Sequence, residues 1–311
     1  MKYCFGVDVG GTSIKLGLFS VDGVILDKWE IPTRKENHGE YILPDIAEEV
    51  LKKMKEKGLD RSDLKGVGVG IPAPVKNNGE VYKTANLGWG HKNVKKELGA
   101  LLDGVRIEAA NDANLAAMGE MWLGAGRGEK DIVMVTLGTG VGGGIIVDER
   151  MLVGSSGACG EIGHICVNPE ETGTCGCGLH GCLEYYSSAT GIARLANNRL
   201  AKNDDDSVLR GQKVNAKTVF DAVKMGDKVA IEIAEEFGLH LGRGLAAVTA
   251  LANPALIIVG GGVSKAGDIL FRFIEKEYHA HAFFADHEVR FALAELGNDA
   301  GICGAARMVL S

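Results

Sequence analysis

The sequence predicts an α/β protein of two lobes, each a mixed β-sheet with flanking helices. Three observations lead there. Its 311 residues exceed what one hydrophobic core usually serves, since such cores stop growing near roughly 250–300 residues. The chain opens on antiparallel strands and then alternates strands with helices, a pattern of mixed sheets covered by helices. A strand, glycine turn and strand near the start return 128 positions later.

Taken in order, Tyr3–Val9 reads as a strand, Gly10-Gly11-Thr12 as a turn and Ile14–Phe19 as the returning strand. Asp22-Gly23 is a hairpin pattern that predicts a third strand over Val24–Ile31. Ile46, Val50, Leu51 and Met54 share one face among Glu and Lys, predicting a helix over 45–57 that Gly58 ends. Gly66–Ile71 is a short buried strand stopped by Pro72 and Pro74, Val105–Ala109 another strand, and Asp112–Leu123 a helix. Then Asp131–Leu137, the turn Gly138–Gly140 and Gly142–Val147 repeat the opening. Asp8-Val9-Gly10-Gly11-Thr12 overlies Thr136-Leu137-Gly138-Thr139-Gly140, and Leu18 and Phe19 overlie Ile146 and Val147, which predicts an internal duplication. Residues 151–188 are irregular and rich in Gly and Cys. Helices follow at 189–200, 216–225, 227–251, about 266–279 and 300–310, with strands at 256–259 and 289–293 and an exposed polar loop at 202–213.

Composition excludes several classes. Lys and Arg number 34 against 41 Asp and Glu, a net charge of −7, so no nucleic-acid partner is expected. No apolar run approaches the ~18–20 residues of a membrane helix, so no membrane partner is expected. No signal-peptide pattern opens the chain, and its seven cysteines are an odd count, which suits a reducing, cytoplasmic setting. Glycine stands out, with 45 residues against 6 prolines, and suggests turns that cradle a ligand.

Three groups of residues carry chemistry. The turn Asp8-x-Gly10-Gly11-Thr12 offers backbone N–H groups, a hydroxyl and Lys15 to a phosphate, and Asp8 can orient Mg²⁺. Thr136-x-Gly138-Thr139-Gly140 repeats the offer, and Gly260-Gly261-Gly262 follows a third buried strand. Either turn alone is more often a plain hairpin; together they point to nucleotide phosphates. Gly138, Gly140 and Gly143 match G-x-G-x-x-G only formally, because a strand continues where a dinucleotide site needs a helix. Asn111-Asp112 stands where a strand hands over to a helix, a place for active-site groups, and Asp112 there can accept a hydroxyl proton. The pair also suits a helix N-cap, and on these residues alone the N-cap is the stronger reading. The third group is His164, Cys175, Cys177 and Cys182, a Cys₃His set in H-x₁₀-C-x-C-x₄-C spacing. Tetrahedral Zn²⁺ suits it, and with no position left for water the metal is structural. Glu161 and Glu184 flank this cluster. His164 has a second ring nitrogen for another partner.

These pieces, matched in order, resemble the ROK family of sugar kinases and sugar-responsive repressors over nearly the whole chain, and look closest to its bacterial glucokinases. The matching residues are Asp8–Thr12, Asn86-Leu-Gly-Trp89, Asn111-Asp112, Leu137–Gly143, Gly160-Glu-Ile-Gly-His164 and Cys175–Glu184. The resemblance implies the actin/hexokinase-like fold with ATP and sugar in a cleft and the last helix folded back onto the first lobe. The lobes are expected at 1–118 plus 298–311 and at 119–297. It implies Asp112 as general base, and Asn86, Asn111, Asp112, Glu161, His164 and Glu184 on the sugar hydroxyls, with His164 serving sugar and zinc. Gly10, Gly11, Thr12 and Thr139 meet the phosphates, and Gly261 and Gly262 lie by the nucleoside. It also implies a homodimer or homotetramer and a place in glycolysis. Thr84-Ala85 before Asn86, where Pro is frequent, and Tyr185-Tyr186 after Glu184 depart from the commonest pattern.

The expected reaction is ATP with glucose giving ADP and glucose 6-phosphate. The rivals are a kinase for another hexose or N-acetylhexosamine, such as N-acetylmannosamine or fructose, a polyphosphate-dependent kinase, and a non-catalytic sugar-responsive regulator. A repressor of the family usually carries an N-terminal helix-turn-helix domain, and only seven residues precede Asp8.

Overall fold

A computed structural model describes residues 2–310. They form two compact units. The first comprises residues 2–128, 144–160 and 295–310; the second comprises residues 129–143 and 161–294. These units differ from the lobes drawn on the sequence at 119–128, 144–160 and 295–297. One physical reason is plain. The helix over residues 112–123 runs unbroken through 118/119, and its buried Glu120 accepts N–H groups from Ala125, Glu295 and Leu296.

The first sheet begins as the antiparallel meander β1 (Tyr3–Val9), β2 (Ser13–Ser20) and β3 (Ile25–Pro32). A single turn, α1 (Glu36–Gly39), with Asn37 and His38 at positive φ, leads to α2 (Ile42–Lys57). Helix α2 starts earlier than the apolar spacing predicts, because Pro44 in its first turn needs no intrahelical donor. Gly58 ends it in the left-handed region, as expected. Then come β4 (Leu64–Ile71), the short pair β5 (Glu80–Val81) and β6 (Lys92–Asn93), α3 (Val94–Leu101), β7 (Ile107–Asn111) and α4 (Asp112–Leu123). Helix α3 was not among the expected elements. It is two turns long and rests on an Asn93 cap and two buried residues, Val94 and Leu98. The sheet order is β3-β2-β1-β4-β7, with β1, β4 and β7 parallel.

The second sheet repeats this plan. Its strands are β8 (Ile132–Leu137), β9 (Val141–Val147) and β10 (Arg150–Met151), then β11 (Leu256–Gly260) and β12 (Arg290–Leu293). The order is β10-β9-β8-β11-β12, with β8, β11 and β12 parallel. The duplication read from the glycine turns is therefore a duplication of topology. The helices that follow are α5 (Leu183–Ser187), α6 (Ala189–Lys202), α7 (Ala216–Lys224), α8 (Lys228–Ala252) and α9 (Ile269–His281), and the last helix, α10 (Ala300–Met308), belongs to the first unit. Among the described residues no helix is long and apolar enough to cross a membrane.

Close approach of backbones sets the packing in both units. A Cβ on Gly304 of α10 would stand 1.7 Å from the Leu115 carbonyl oxygen of α4, and one on Gly119 of α4 would stand 2.2 Å from that of Ala300. Gly6 of β1 and Gly68 of β4 meet the carbonyls of Ile302 and Ala305 at 1.9 and 1.8 Å in the same way. In the second unit Gly238 and Gly242 of α8 lie one turn apart and admit the backbone of α9 at Phe273 and Tyr278. Leu241, Leu245, Ile257, Ile258 and Tyr278 are fully buried in the same unit.

Substitution of Gly304→Ala is expected to cost about 3 kcal/mol or more, since a fixed carbonyl cannot yield to the methyl. Gly99→Ala should have the opposite sign. Its methyl would meet nothing closer than 3.7 Å inside α3, and helix propensity then contributes up to about 1 kcal/mol. Urea and thermal midpoints of the two variants beside the parent check both signs.

Candidate active site and metal centre

In the first unit β1 carries Asp8 next to its last residue, Val9, and the chain turns on Gly10. Gly10 N–H donates to the Ser13 carbonyl at 3.0 Å, and the Thr33 hydroxyl donates to the Gly10 carbonyl at 2.7 Å. A Cβ on Gly10 would stand 2.8 Å from the Ser13 oxygen, so the turn itself requires glycine there. Gly11 is different: its nearest neighbour would be the Asn86 Cβ at 3.5 Å. Asp8 lies against Gly301 of α10, where burial raises its carboxyl above the usual range and Lys15 opposes that shift. Lys15 pairs with Asp8 across β1 and β2, and its Nζ reaches the Asn298 carbonyl at 3.4 Å.

Asn86 is exposed at the tip of a built turn. Trp89 N–H donates to the Thr84 hydroxyl at 3.0 Å, Thr84 N–H to the Trp89 carbonyl at 3.1 Å, and the buried Trp89 indole to the Gly39 carbonyl at 2.9 Å. At the end of β7, the Asn111 side chain accepts from the N–H groups of Ala113 and Asn114 at 3.0 and 3.2 Å and donates to the Ala73 carbonyl at 3.3 Å. The N-cap reading therefore holds for Asn111. Asp112 is the first helical residue, half-buried, with Oδ1 accepting the Ala113 N–H at 2.8 Å.

In the second unit the turn after β8 is braced from several sides. Gly138 N–H donates to the Gly140 carbonyl at 2.9 Å, Ala189 N–H to the Gly138 carbonyl at 2.8 Å, and the Thr190 hydroxyl to the Thr139 carbonyl at 2.9 Å. Glu184 Oε2 accepts the Val141 N–H at 2.9 Å. A Cβ on Gly140 would fall 2.3 Å from that oxygen. Gly261 has φ +84° and presses on the Leu137 backbone, whereas a Cβ on Gly138 or Gly262 would meet open space. Beside Gly262 a pocket of about 150 Å³ is walled by Ala216, Phe220, Val263 and Ala266.

The four expected metal ligands come together: the donor atoms of His164, Cys175, Cys177 and Cys182 lie within 4.8 Å of one another. The Sγ atoms of Cys177 and Cys182 are 3.6 Å apart, and His164 Nδ1 is 4.0 Å from Cys175 Sγ. Four donors at bond lengths of about 2.0–2.3 Å around one tetrahedral cation stand roughly 3.4–3.8 Å apart, so this set fits one metal ion. Burial pushes the Cys182 thiol up to about 12, which a bound cation reverses by demanding the thiolate. Glu161 is exposed just ahead of His164, and Glu184 Oε1 lies 3.6 Å from Cys175 Sγ.

Several supporting residues had no sequence pattern to betray them. Tyr186 donates its hydroxyl to Glu171 at 2.6 Å and accepts from Asn168 at 2.8 Å, which ties α5 to the metal loop. The hydrogen bond from Tyr186 holds the Glu171 carboxyl below its usual range. The Tyr186 ring stacks on buried His240 of α8 at 3.6 Å, and burial lowers that imidazole to about 4, so it packs as a neutral ring. Thr190 and Glu171 are ordinary polar residues in sequence; only the folded chain brings them to these partners.

Two sheets of one topology, each with a glycine turn after its first strand, define a duplicated α/β protein whose candidate site is built from those turns. The ROK family matches residues 4–311, and the chain belongs to it. Over 99% of this chain and 95% of the other, it is 41% identical to a glucokinase of Halalkalibacterium halodurans. It is 37% identical to a glucokinase of Thermotoga maritima over 98% and 96% of the two chains. Among solved structures, a ROK family glucokinase from Streptomyces griseus in complex with glucose and AMPPNP aligns with TM-score 0.75 at 31% identity, covering 98% of both chains.

Replacing Asn111 with Ala is expected to cost about 1 kcal/mol through loss of the cap, and Asn111→Ser to cost only a few tenths, because a hydroxyl still accepts the N–H groups of α4. Urea midpoints of the two variants measure the difference.

Proposed function

We propose that this protein transfers the γ-phosphoryl group of ATP to the 6-hydroxyl of glucose, giving ADP and glucose 6-phosphate. The full-length likeness to two glucokinases carries this reading. Asp112 takes the proton of the 6-hydroxyl as that oxygen attacks the γ-phosphorus in line and the bond to the ADP oxygen breaks. Asn86, Asn111, Glu161, His164 and Glu184 hold the other sugar hydroxyls. The turns Gly10–Thr12 and Gly138–Gly140 receive the phosphates, the N–H groups of Gly10 and Gly138 closing the turns on Ser13 and Gly140 while those of Gly11, Thr12, Thr139 and Gly140 face the ligand, with Lys15 adding positive charge. Asp8 would hold a Mg²⁺ ion accompanying ATP, which would offset charge on the phosphates. The open face of Gly262 and the apolar pocket beside it suit the base, next to Gly261. Such a transfer depends on positioning and charge more than on covalent chemistry, which suits a site made of braced turns and a capped helix.

The Cys₃His cluster fits Zn²⁺ as a structural ion, which supplies a rigid crosslink to residues 161–184 and so sets the direction of Glu161, His164 and Glu184. The seven thiols suit a reducing compartment, and we place the enzyme in the cytoplasm, at the entry of glucose into glycolysis.

A coupled assay with ATP and Mg²⁺ across glucose, mannose, fructose, N-acetylglucosamine and N-acetylmannosamine tests the reading. The highest kcat/KM is expected for glucose, and a preference for an acetylated sugar overturns the substrate. With the preferred sugar, Asp112→Asn should keep the fold and sugar affinity while kcat falls by about 10²–10⁴-fold; near-normal kcat removes Asp112 as the base. Cys177→Ser should drop bound zinc from about one equivalent to well below it, and lower the melting temperature and sugar affinity together. Metal analysis alongside calorimetry reads that outcome, and an unchanged melting temperature in a metal-free variant refutes the structural role.

A further inference from the structure

We propose that Cys166 and Cys182 form an oxidisable dithiol, a modification site for a peroxide, whose cross-strand disulfide takes one ligand from the metal cluster. Cys166 lies outside the Cys₃His set and is exposed, whereas Cys182 is a buried member of it. The two residues face each other in an isolated antiparallel bridge. Val167 N–H donates to the Gly181 carbonyl and Leu183 N–H to the Ile165 carbonyl, each at 2.8 Å, so the hydrogen bonds bracket the pair rather than join it. Such a non-hydrogen-bonded pair has its Cα atoms about 4.5 Å apart with both side chains on one face. That separation falls at the short end of the roughly 4.4–6.8 Å that a disulfide spans. The Cys166 thiol already lies against the chain before Cys182, since a Cβ on Gly181 would be 3.1 Å from its Sγ. Cys177 Sγ is also near Cys182, at 3.6 Å. A bound metal occupies both of those thiolates, and Cys166 is the thiol left open to solvent.

The chemistry balances with hydrogen peroxide as oxidant. The Cys166 thiolate attacks one peroxide oxygen, the O–O bond breaks, and a sulfenic acid and water result. The Cys182 thiolate then attacks the sulfenic sulfur, the S–O bond breaks, and the departing hydroxide takes a proton to become water. Two thiols and one peroxide give one disulfide and two waters, with two electrons passing from sulfur to peroxide. Cys166 is exposed, so a dithiol reductant can reach the crosslink and reopen it by thiol–disulfide exchange. Release of the metal rests on the Cys₃His reading above; the disulfide itself does not.

The test uses the purified full-length protein with its metal content measured first. Peroxide is then added while metal release is followed with a chromogenic chelator, turnover is assayed, and disulfides are mapped on non-reduced peptides. The expected result is a Cys166–Cys182 crosslink that forms together with loss of metal and activity, all restored by dithiothreitol and zinc. Cys166→Ser should keep its metal and basal activity and lose both to peroxide at least about tenfold more slowly. Equal rates in parent and variant, or mapping that joins Cys177 to Cys182 instead, overturn the proposal while leaving the metal reading intact. A Cys166–Cys182 crosslink in protein that holds no metal as purified supports the dithiol and sinks the metal reading.

Discussion

The first unit depends on a helix that has been allowed to touch backbone. Helix α10 closes the chain, and it can lie against β1, β4 and α4 only because Gly6, Gly68, Gly119 and Gly304 carry no Cβ at the points of contact. Each of those contacts sets a carbonyl oxygen within about 2.2 Å of where a methyl would be, a gap that no rotamer change relieves. What α10 fixes includes residues of the proposed site. Strand β1 delivers Asp8 near its end, α4 begins with Asp112, and Gly301 of α10 itself rests on the Asp8 carboxylate. The proposed base and the first phosphate turn are therefore held by elements locked to one short helix at the far end of the sequence.

In the second unit the comparable constraint is a carboxylate. Glu184 accepts the Val141 N–H through one oxygen and lies beside Cys175 through the other. The metal loop and the glycine turn after β8 consequently share a side chain. Tyr186, two residues on, ties the same segment to Asn168, Glu171 and the His240 ring of α8. Glu184 is thus the side chain through which the thiol loop and the turn after β8 are joined.

Much of this was legible in the sequence because it is local. Period and punctuation gave the strands and helices around Asp8, Asp112 and Gly138, and the cluster of His164 with three cysteines could be read from ligand type and spacing. For the Asn111-Asp112 pair the structure gives the cap to Asn111, which satisfies the orphan N–H groups of α4, and makes Asp112 the first helical residue, its role as base being the proposal above. What stayed hidden is what depends on distant partners. Thr190 beneath Thr139 and Glu171 on Tyr186 have no periodicity to announce them, and the seat of α10 on the first unit followed from the family resemblance rather than from any local pattern. Helix α3 escaped because eight residues with two buried positions make too few turns for a pattern.

The glycines of the phosphate turns divide by cause, and the division sharpens the functional reading. Gly10 is required by the Ser13 carbonyl, Gly140 by Glu184, and Gly261 by its positive φ and the Leu137 backbone. The protein's own packing accounts for all three, so by themselves they say nothing of a ligand. Gly11, Gly138 and Gly262 have room for a side chain and none of them needs a positive φ. Helix propensity does not explain their lack of one either, since all three lie outside the α-helices. A bare backbone facing open space at the ends of β1, β8 and β11 is what a bulky anionic ligand asks for when it must approach N–H groups closely. The proposed nucleotide thus has its support in Gly11, Gly138 and Gly262, which the fold leaves unexplained, rather than in how many glycines there are.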